Sequence, residues 1–419
     1  MKLTGFLFHF LLSVVCLTTV YAEIKPDGVD YVLSNNDDGS YSAQVQIGEG
    51  VNVTEGYNLG HVGGVYVYQG AEVVDQNKIK DVSINMTGGH VATLASGNYR
   101  AQPVNGDVYI RITGGTVGSL YGGNYMNTAF NGAYADSAKI DSVNITIGGS
   151  AQVGSVTGGS LVGVDGGMYD SAYIDKYTTT GDVTITVEDA AQIGTLCGAT
   201  YGCDKVDGNV NLHINGGTVD YAFGANVGSV TKDVNIHLTG GKVSTYIYGG
   251  DINLIGGTRT LYIGSEDTVY NGSTYYIYGL DSIVVAAGSS LDSTAGLDFT
   301  QVTQYNYTLS LDNLNEPLIS TKTGTLNLNN TGFTLNLNAL EPLADGRYIL
   351  MEASAVQNWD KDKVTLNTQG FNASLDDVKW ENNQLVLYVK SDNVPEPTTA
   401  TLSLLALAGL AARRRRASR

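Results

Sequence analysis

The sequence predicts an all-β protein whose body is a parallel β-helix, a β-solenoid of at least six coils, with a C-terminal β cap or small sandwich. Three observations predict it. Glycine reaches 53 and tyrosine 27 of 419 residues, with only 6 prolines; Val, Thr and Tyr favour strands, and Gly weakens helices. A nine-residue segment recurs along the chain. Within each copy the apolar residues alternate, which is the period of a strand.

The copies can be set side by side. Asp81-Val-Ser-Ile-Asn-Met-Thr-Gly-Gly89 resembles Asp107-Val-Tyr-Ile-Arg-Ile-Thr-Gly-Gly115, Asn209-Val-Asn-Leu-His-Ile-Asn-Gly-Gly217 and Asp233-Val-Asn-Ile-His-Leu-Thr-Gly-Gly241; looser copies start at Ser142 and Asp182. Their leading valines are Val82, Val108, Val143, Val183, Val210 and Val234, at spacings of 26, 35, 40, 27 and 24. In one copy Val108, Ile110 and Ile112 point one way, Tyr109 and Arg111 the other. The Gly-Gly pair supplies a corner that tolerates positive φ. A second half follows, with apolar residues three apart and then a small residue, as in Val117, Leu120 and Gly122.

One such copy makes two or three short strands and cannot bury its apolar side alone. Stacking lets the six valines form one internal column, which is the logic of a repeat protein. A minimum period of 24 residues suits one coil, with ~4.8 Å between coils. The competing architecture is an antiparallel sandwich or meander of hairpins, because Gly-Gly also closes hairpins. Copies that run in one direction and tolerate insertion at one junction favour the solenoid.

Extra residues fall after the second half-motif, at 124–141 and 160–181, and would leave the solenoid at one corner. They carry Tyr125, Tyr134, Tyr169, Tyr173 and Tyr177. These are either tolerated loop length or a tyrosine-bearing ligand face, since Tyr offers amphipathic contact area at low entropy cost.

The flanks differ. Residues 23–80 read as an N-terminal β cap, with a turn at Asn35-Asn36-Asp37-Asp38-Gly39. Residues 81–290 hold the solenoid repeats, whose character fades after Asp251. Residues 291–392 contain Trp359 and Trp380 and strand-like runs at Phe333 and Leu385, and read as a C-terminal β domain that seals the last coil. This order of repeats followed by terminal β structure resembles autotransporter passengers; no membrane barrel follows, so autotransport is not implied.

Residues 1–22 read as a secretory signal peptide: Lys2 leads an apolar run that ends at Val20-Tyr21-Ala22, with cleavage expected between Ala22 and Glu23. Residues 393–419 form a second signal. Pro395-Glu396-Pro397 precedes a 15-residue apolar stretch and the cluster Arg413, Arg414, Arg415 and Arg416. As a helix that stretch spans ~22 Å, short of a ~30 Å hydrocarbon core, and the arginines would hold its end on the cytoplasmic side. The tail resembles the PEP-CTERM sorting signal. The resemblance covers only the tail and speaks to destination. It implies a Gram-negative host, handling by an exosortase in the inner membrane after signal peptidase has acted, transient membrane insertion of the C-terminal helix, and association with extracellular polysaccharide.

Composition and charge exclude other classes. The net charge is -18, so nothing supplies the basic stripe that phosphate neutralisation needs, and a nucleic-acid partner is not expected. So acidic a body stays soluble and repels anionic surfaces.

Little points to chemistry. Cys197 and Cys203, close together in an exported chain, are expected to pair as a disulfide. His213 and His237 occupy one outward position in consecutive copies, so stacking would make them neighbours ~5 Å apart; a metal site wants three or four ligands, and the rest cannot be named, so no metal or cofactor is expected. Parallel β-helices include polysaccharide lyases and hydrolases, whose chemistry needs clustered acids, or a base with cations aimed at the sugar. Arg100, Arg111, Arg259 and Arg347 share no repeat position, and no acid pair recurs with them. The sequence therefore predicts an exported, exosortase-sorted surface or matrix protein, structural or adhesin-like, and not an enzyme. A polysaccharide lyase or glycoside hydrolase on the same scaffold is the alternative.

Overall fold

The computed structural model describes residues 29–38, 40–53, 61–63, 79–96, 104, 106–123, 125–127, 140–159, 161–163, 181–199, 205–226 and 228–390. Almost all of the regular structure is β-strand, mostly paired in parallel with the strand one repeat further on. Each copy contributes its nine-residue segment to one ladder and its second half to another.

The first ladder begins at Tyr41–Ile47 and Ile79–Met86, passes through Asp107–Ile112, Ser142–Ile147 and Val183–Val187, and continues into the first halves of Val210–Ala225 and Val234–Tyr248. Register is kept: Val82, Val108, Val143, Val183, Val210 and Val234 stand opposite one another in turn, and each is fully buried. The next inward column runs Ile84, Ile110, Ile145, Ile185, Leu212, Ile236, all within 2% of complete burial. Alternation causes this directly. An in-register parallel pair puts equivalent side chains on the same face, so a Val or Ile at every second position builds a dry wall. Each such side chain contributes roughly 1.5–3 kcal/mol on burial.

The second ladder joins His90–Ala95, Thr116–Tyr121, Gln152–Thr157, Gln192–Ala199 and the second halves of the two long strands. Its inward columns are Val91, Val117, Val153, Ile193, Val219, Val243 and Leu94, Leu120, Val156, Leu196, Ala222, Ile247. Both ladders line one hydrophobic cluster that extends from Val29 to Val389. Short parallel pairs, Tyr125–Asn127 with Leu161–Gly163 and Lys205–Val206 with Ser229–Val230, lie outside the two ladders.

The corners explain the paired glycines. Gly89, Gly115, Gly149, Gly217 and Gly241 all have positive φ between 58° and 84°. At Gly149 a Cβ would also sit 2.0 Å from the Thr113 carbonyl oxygen of the preceding copy. The copy without Gly-Gly uses Asp189 at φ 56°, a residue type that tolerates the left-handed region. Its carboxylate accepts from the Gly149 backbone N–H at 2.9 Å.

The ladders do not fade after Asp251. Arg259–Ile263, Ser282–Val285, Gln304–Leu309, Phe333–Ala339 and Val364–Gln369 extend the first in parallel. Asn271–Tyr278, Ser290–Asp298, Ile319–Asn327 and Gly346–Gln357 extend the second. The pairing therefore passes through position 290, inside a strand. Repetition is hard to see there because the inward residues change from Val and Ile to Tyr305, Tyr307, Leu335 and Leu337, and because single glycines, Gly264 and Gly288, take the positive-φ corners. Stacking needs only an apolar inward residue and a permissive corner, not the same letters.

Antiparallel pairing appears at the two extremes. Val29–Asn35 turns back on Tyr41–Ile47, the turn held by Asp38, which accepts from Ser40 and pairs with Lys80 at 2.6 Å. At the other end Gln384–Val389 runs antiparallel to both Gly346–Gln357 and Val378–Glu381. Trp359 and Trp380 pack on the core beside this end, 6.0 Å apart between centroids.

Candidate functional site

The outer faces of the ladders carry the polar and aromatic side chains, and equivalent positions again form columns. On the first ladder Asn235 donates to Asn211 at 3.0 Å, and Asn367, Asn336 and Asn306 are linked at 2.8 Å per step. His213 and His237 stack at 4.6 Å between centroids, and Tyr262 continues the stack at 4.3 Å. The sequence placed the two histidines side by side; the tyrosine completes the column through the pairing of His237 with Tyr262. Burial pushes the His213 imidazole down, and burial followed by the charge of His213 holds His237 down at about 4. Both rings are therefore neutral near pH 7. Among the described residues no group of three His, Cys, Asp or Glu side chains comes together to hold a metal ion.

The largest aromatic gathering lies on the second ladder. Tyr221, Tyr246 and Tyr276 occupy one register column, and Phe223, Tyr248 and Tyr278 the one beside it, with the buried Ala222, Ile247 and Ile277 between them pointing inward. The local sequences Tyr246-Ile-Tyr248 and Tyr276-Ile-Tyr278 explain the placement, since alternation sends every aliphatic residue in and every ring out. The pairing with Ser290–Asp298 shifts register after Thr274: Ser293 stands opposite Thr274 and Gly296 opposite Tyr276, so the extra residue lies in the later strand, where Thr294 and Ala295 oppose Tyr275. Thr274 and Ile277 are buried three apart, the spacing of Val117 and Leu120, so the two tyrosines between them both lie outside the buried core, and Tyr275 is 49% exposed. Ser293 fixes the bulge by donating to the Tyr275 carbonyl at 2.9 Å.

Tyr246, Tyr275, Tyr276, Tyr278 and Ala295 line an open cleft of about 410 Å³. Tyr248 and Tyr278 stack at 4.4 Å with 22° between planes; Tyr246 meets Tyr276 and Tyr278 edge-on at 6.4 and 6.2 Å. The cleft ends where the register places Gly296 opposite Tyr276. A Cβ at Gly296 would come within 3.2 Å of the Tyr276 ring, so glycine leaves that ring uncovered by a side chain on this side. Burial raises the hydroxyl pKa of Tyr248, Tyr276 and Tyr278, reinforced by Asp251 at Tyr248, by Asp298 at Tyr276 and by the neighbouring tyrosines at Tyr278. These hydroxyls stay protonated at neutral pH and can both donate and accept.

Inside the wall one position breaks the pattern. Arg259 follows Val234 in the buried valine column. Its side chain is 1% exposed and forms a bidentate pair with Asp281, Nε to Oδ2 at 2.8 Å and Nη2 to Oδ1 at 2.5 Å, while Nη1 donates to the Gly250 carbonyl at 2.6 Å.

The residues singled out from sequence fare differently. Tyr125 belongs to the short strand Tyr125–Asn127. Tyr134, Tyr169, Tyr173 and Tyr177 lie outside the described residues, as do Cys203, Ala22, Glu23, Pro395, Glu396, Pro397 and the four arginines 413–416. Cys197 is buried, its Sγ 2.7 Å from the Ala199 carbonyl oxygen. The tyrosine cleft was not anticipated, although the repeated Tyr-Ile-Tyr triplets signal it. Among the described residues no helix is long and apolar enough to cross a membrane.

Comparison with known proteins bears on the tail. The PEP-CTERM protein-sorting motif matches residues 393–416. Its presence supports export and exosortase-dependent sorting. No curated protein and no solved structure matches the chain.

Proposed function

We propose that this chain is an exported, exosortase-sorted structural protein. Its body is a β-solenoid rod of well over six coils, ended by antiparallel β structure and displayed at the outer surface or in the extracellular matrix, where it acts as an adhesin-like element on polysaccharide. The carrying observation is a sorting motif at 393–416 joined to a body whose equivalent side chains stay in register from Gln44 to Thr365. A rod of stacked copies gives length and a repeated outer face without any catalytic centre. A non-enzymatic role is supported by the described arginines, which are spoken for: Arg111 lies beside Glu188, Arg259 is buried against Asp281, and Arg347 donates to Gln384. The disulfide between Cys197 and Cys203 belongs to this reading, as do the signal peptide at 1–22 and the membrane stop formed transiently by the tail.

The test is fractionation of the host with and without the motif. Replacing Pro395, Glu396 and Pro397 by alanine should change envelope retention and the mass of the mature chain. Unchanged localisation and unchanged processing would contradict the sorting assignment.

A further inference from the structure

We propose that the cleft formed by Tyr246, Tyr275, Tyr276 and Tyr278 binds a neutral polysaccharide, one pyranose stacked on the tyrosine rings. This deepens the reading above and rests on its claim that the protein contacts extracellular polysaccharide. Aromatic rings that merely stiffen a β-wall cover one another along the column. Here the column stops: Tyr276 faces Gly296, and the side chain beside the cleft is Ala295. The wall thus keeps an uncovered ring face next to Tyr275, which is 49% exposed and is opposed across the register shift by Thr294 and the small Ala295.

The chemistry of the walls selects the ligand. A pyranose with equatorial substituents presents axial C–H bonds on its two faces and hydroxyls at its rim. The ring faces of the tyrosines match the first, and protonated phenol groups match the second. An aliphatic ligand would leave the hydroxyls unpaired, whereas a sugar uses both parts of each side chain.

Charge decides between glycan classes. Within the cleft the field of Asp298 reaches Tyr276; beside it, Asp251 acts on Tyr248, which stacks on Tyr278, and the opposing cation there is Arg259, already committed to Asp281. In a chain of net charge -18 this surface repels uronic-acid and sulfated polymers. The cleft therefore suits uncharged sugars.

The experiment uses the purified full chain and two probes, a linear neutral β-glucan oligosaccharide and a polyuronate of similar length, with titration calorimetry as the readout. The β-glucan should bind and the polyuronate should bind at least about tenfold more weakly. Tyr276→Ala should weaken glucan binding by about tenfold, the scale of one lost aromatic contact. Ala295→Leu fills the cleft while keeping every tyrosine, and should abolish binding with the thermal midpoint unchanged; it guards against loss by misfolding. Tyr276→Phe keeps the ring and should retain most of the affinity. If the wild type binds glucan and both Tyr276→Ala and Ala295→Leu bind it equally well, the cleft is overturned while contact with polysaccharide stands. Preference for the polyuronate overturns it too. Binding of neither probe removes both the cleft and the polysaccharide reading, leaving the sorting assignment to its own test.

Discussion

Changing Asp281 to alanine should be among the most damaging single substitutions in the chain, because of what it leaves behind. Arg259 occupies the inward position that valine holds in six preceding copies, its side chain 1% exposed. Its aliphatic stem continues the apolar column and its guanidinium turns to Asp281. Asp281 accepts from Nε, from Nη2 and from the Arg259 backbone N–H at 2.8, 2.5 and 2.9 Å. With the carboxylate gone, a buried cation keeps only the Gly250 carbonyl, and breaking such a pair costs about 3–5 kcal/mol. Arg259→Met should cost less, since Asp281 is 21% exposed and can be solvated. The double variant Arg259→Met/Asp281→Ala should recover most of the loss, because an apolar side chain of similar size restores the column, leaving a coupling of at least about 2 kcal/mol. Urea unfolding followed by far-ultraviolet circular dichroism measures all four species. A cost under about 1 kcal/mol for Asp281→Ala, or strictly additive costs, would refute the claim that the pair is a buried unit.

Two further predictions concern the stacked columns. His213 and His237 are both held below the usual imidazole range, His237 at about 4. The unfolded chain therefore takes up protons first as pH falls from about 6.5 towards 4, and stability should be lost across that window while remaining intact above it. Because the rings are partly exposed the loss should stay under about 2 kcal/mol. Replacing both by asparagine should flatten the curve there, and an NMR midpoint for His237 near 6.5 would be the contrary result. Gly154→Ala places a Cβ 2.5 Å from the Gly118 carbonyl oxygen, a backbone atom of the neighbouring copy. It should cost about 1–3 kcal/mol by overpacking. Gly48→Ala, with nothing within 4 Å, should be nearly neutral, and equal thermal midpoints for the two variants would contradict the close stacking.

How much of this was legible before the fold was seen depends on what each residue does. The valine column from Val82 to Val234 and its Gly-Gly corners could be read because one physical demand, an apolar residue beside a permissive turn, repeats with the same letters. His213 and His237 were legible as neighbours for the same reason. The continuation beyond Asp251 was not, because Tyr305 and Leu335 satisfy the inward demand as well as isoleucine does, and a single glycine turns the corner. Arg259 was hidden by its chemistry, since composition marks arginine as a surface residue and only register with Val234 reveals it as interior. The Tyr-Ile-Tyr triplets signal the aromatic column, but the cleft beside it depends on the register shift that sets Gly296 against Tyr276, which alternation alone does not announce. Tyrosine is more conspicuous in the inserted segments, where it stands outside the repeat.

Register is kept along the whole first ladder, so the most direct test of the rod is a distance. Gln44 and Thr365 lie at the two ends of one outward column, joined through Ser83, Tyr109, Asn144, Thr184, Asn211, Asn235, Thr260, Ser282, Gln304 and Thr334. At ~4.8 Å per step the ends of a straight rod are roughly 50 Å apart. Spin labels on Gln44→Cys and Thr365→Cys, in a chain whose native cysteines are changed to serine, report that separation by pulsed electron–electron resonance. A narrow distribution near ~50 Å is the predicted result. A distance under about 30 Å, as a sheet curled back on itself would give, would contradict the rod.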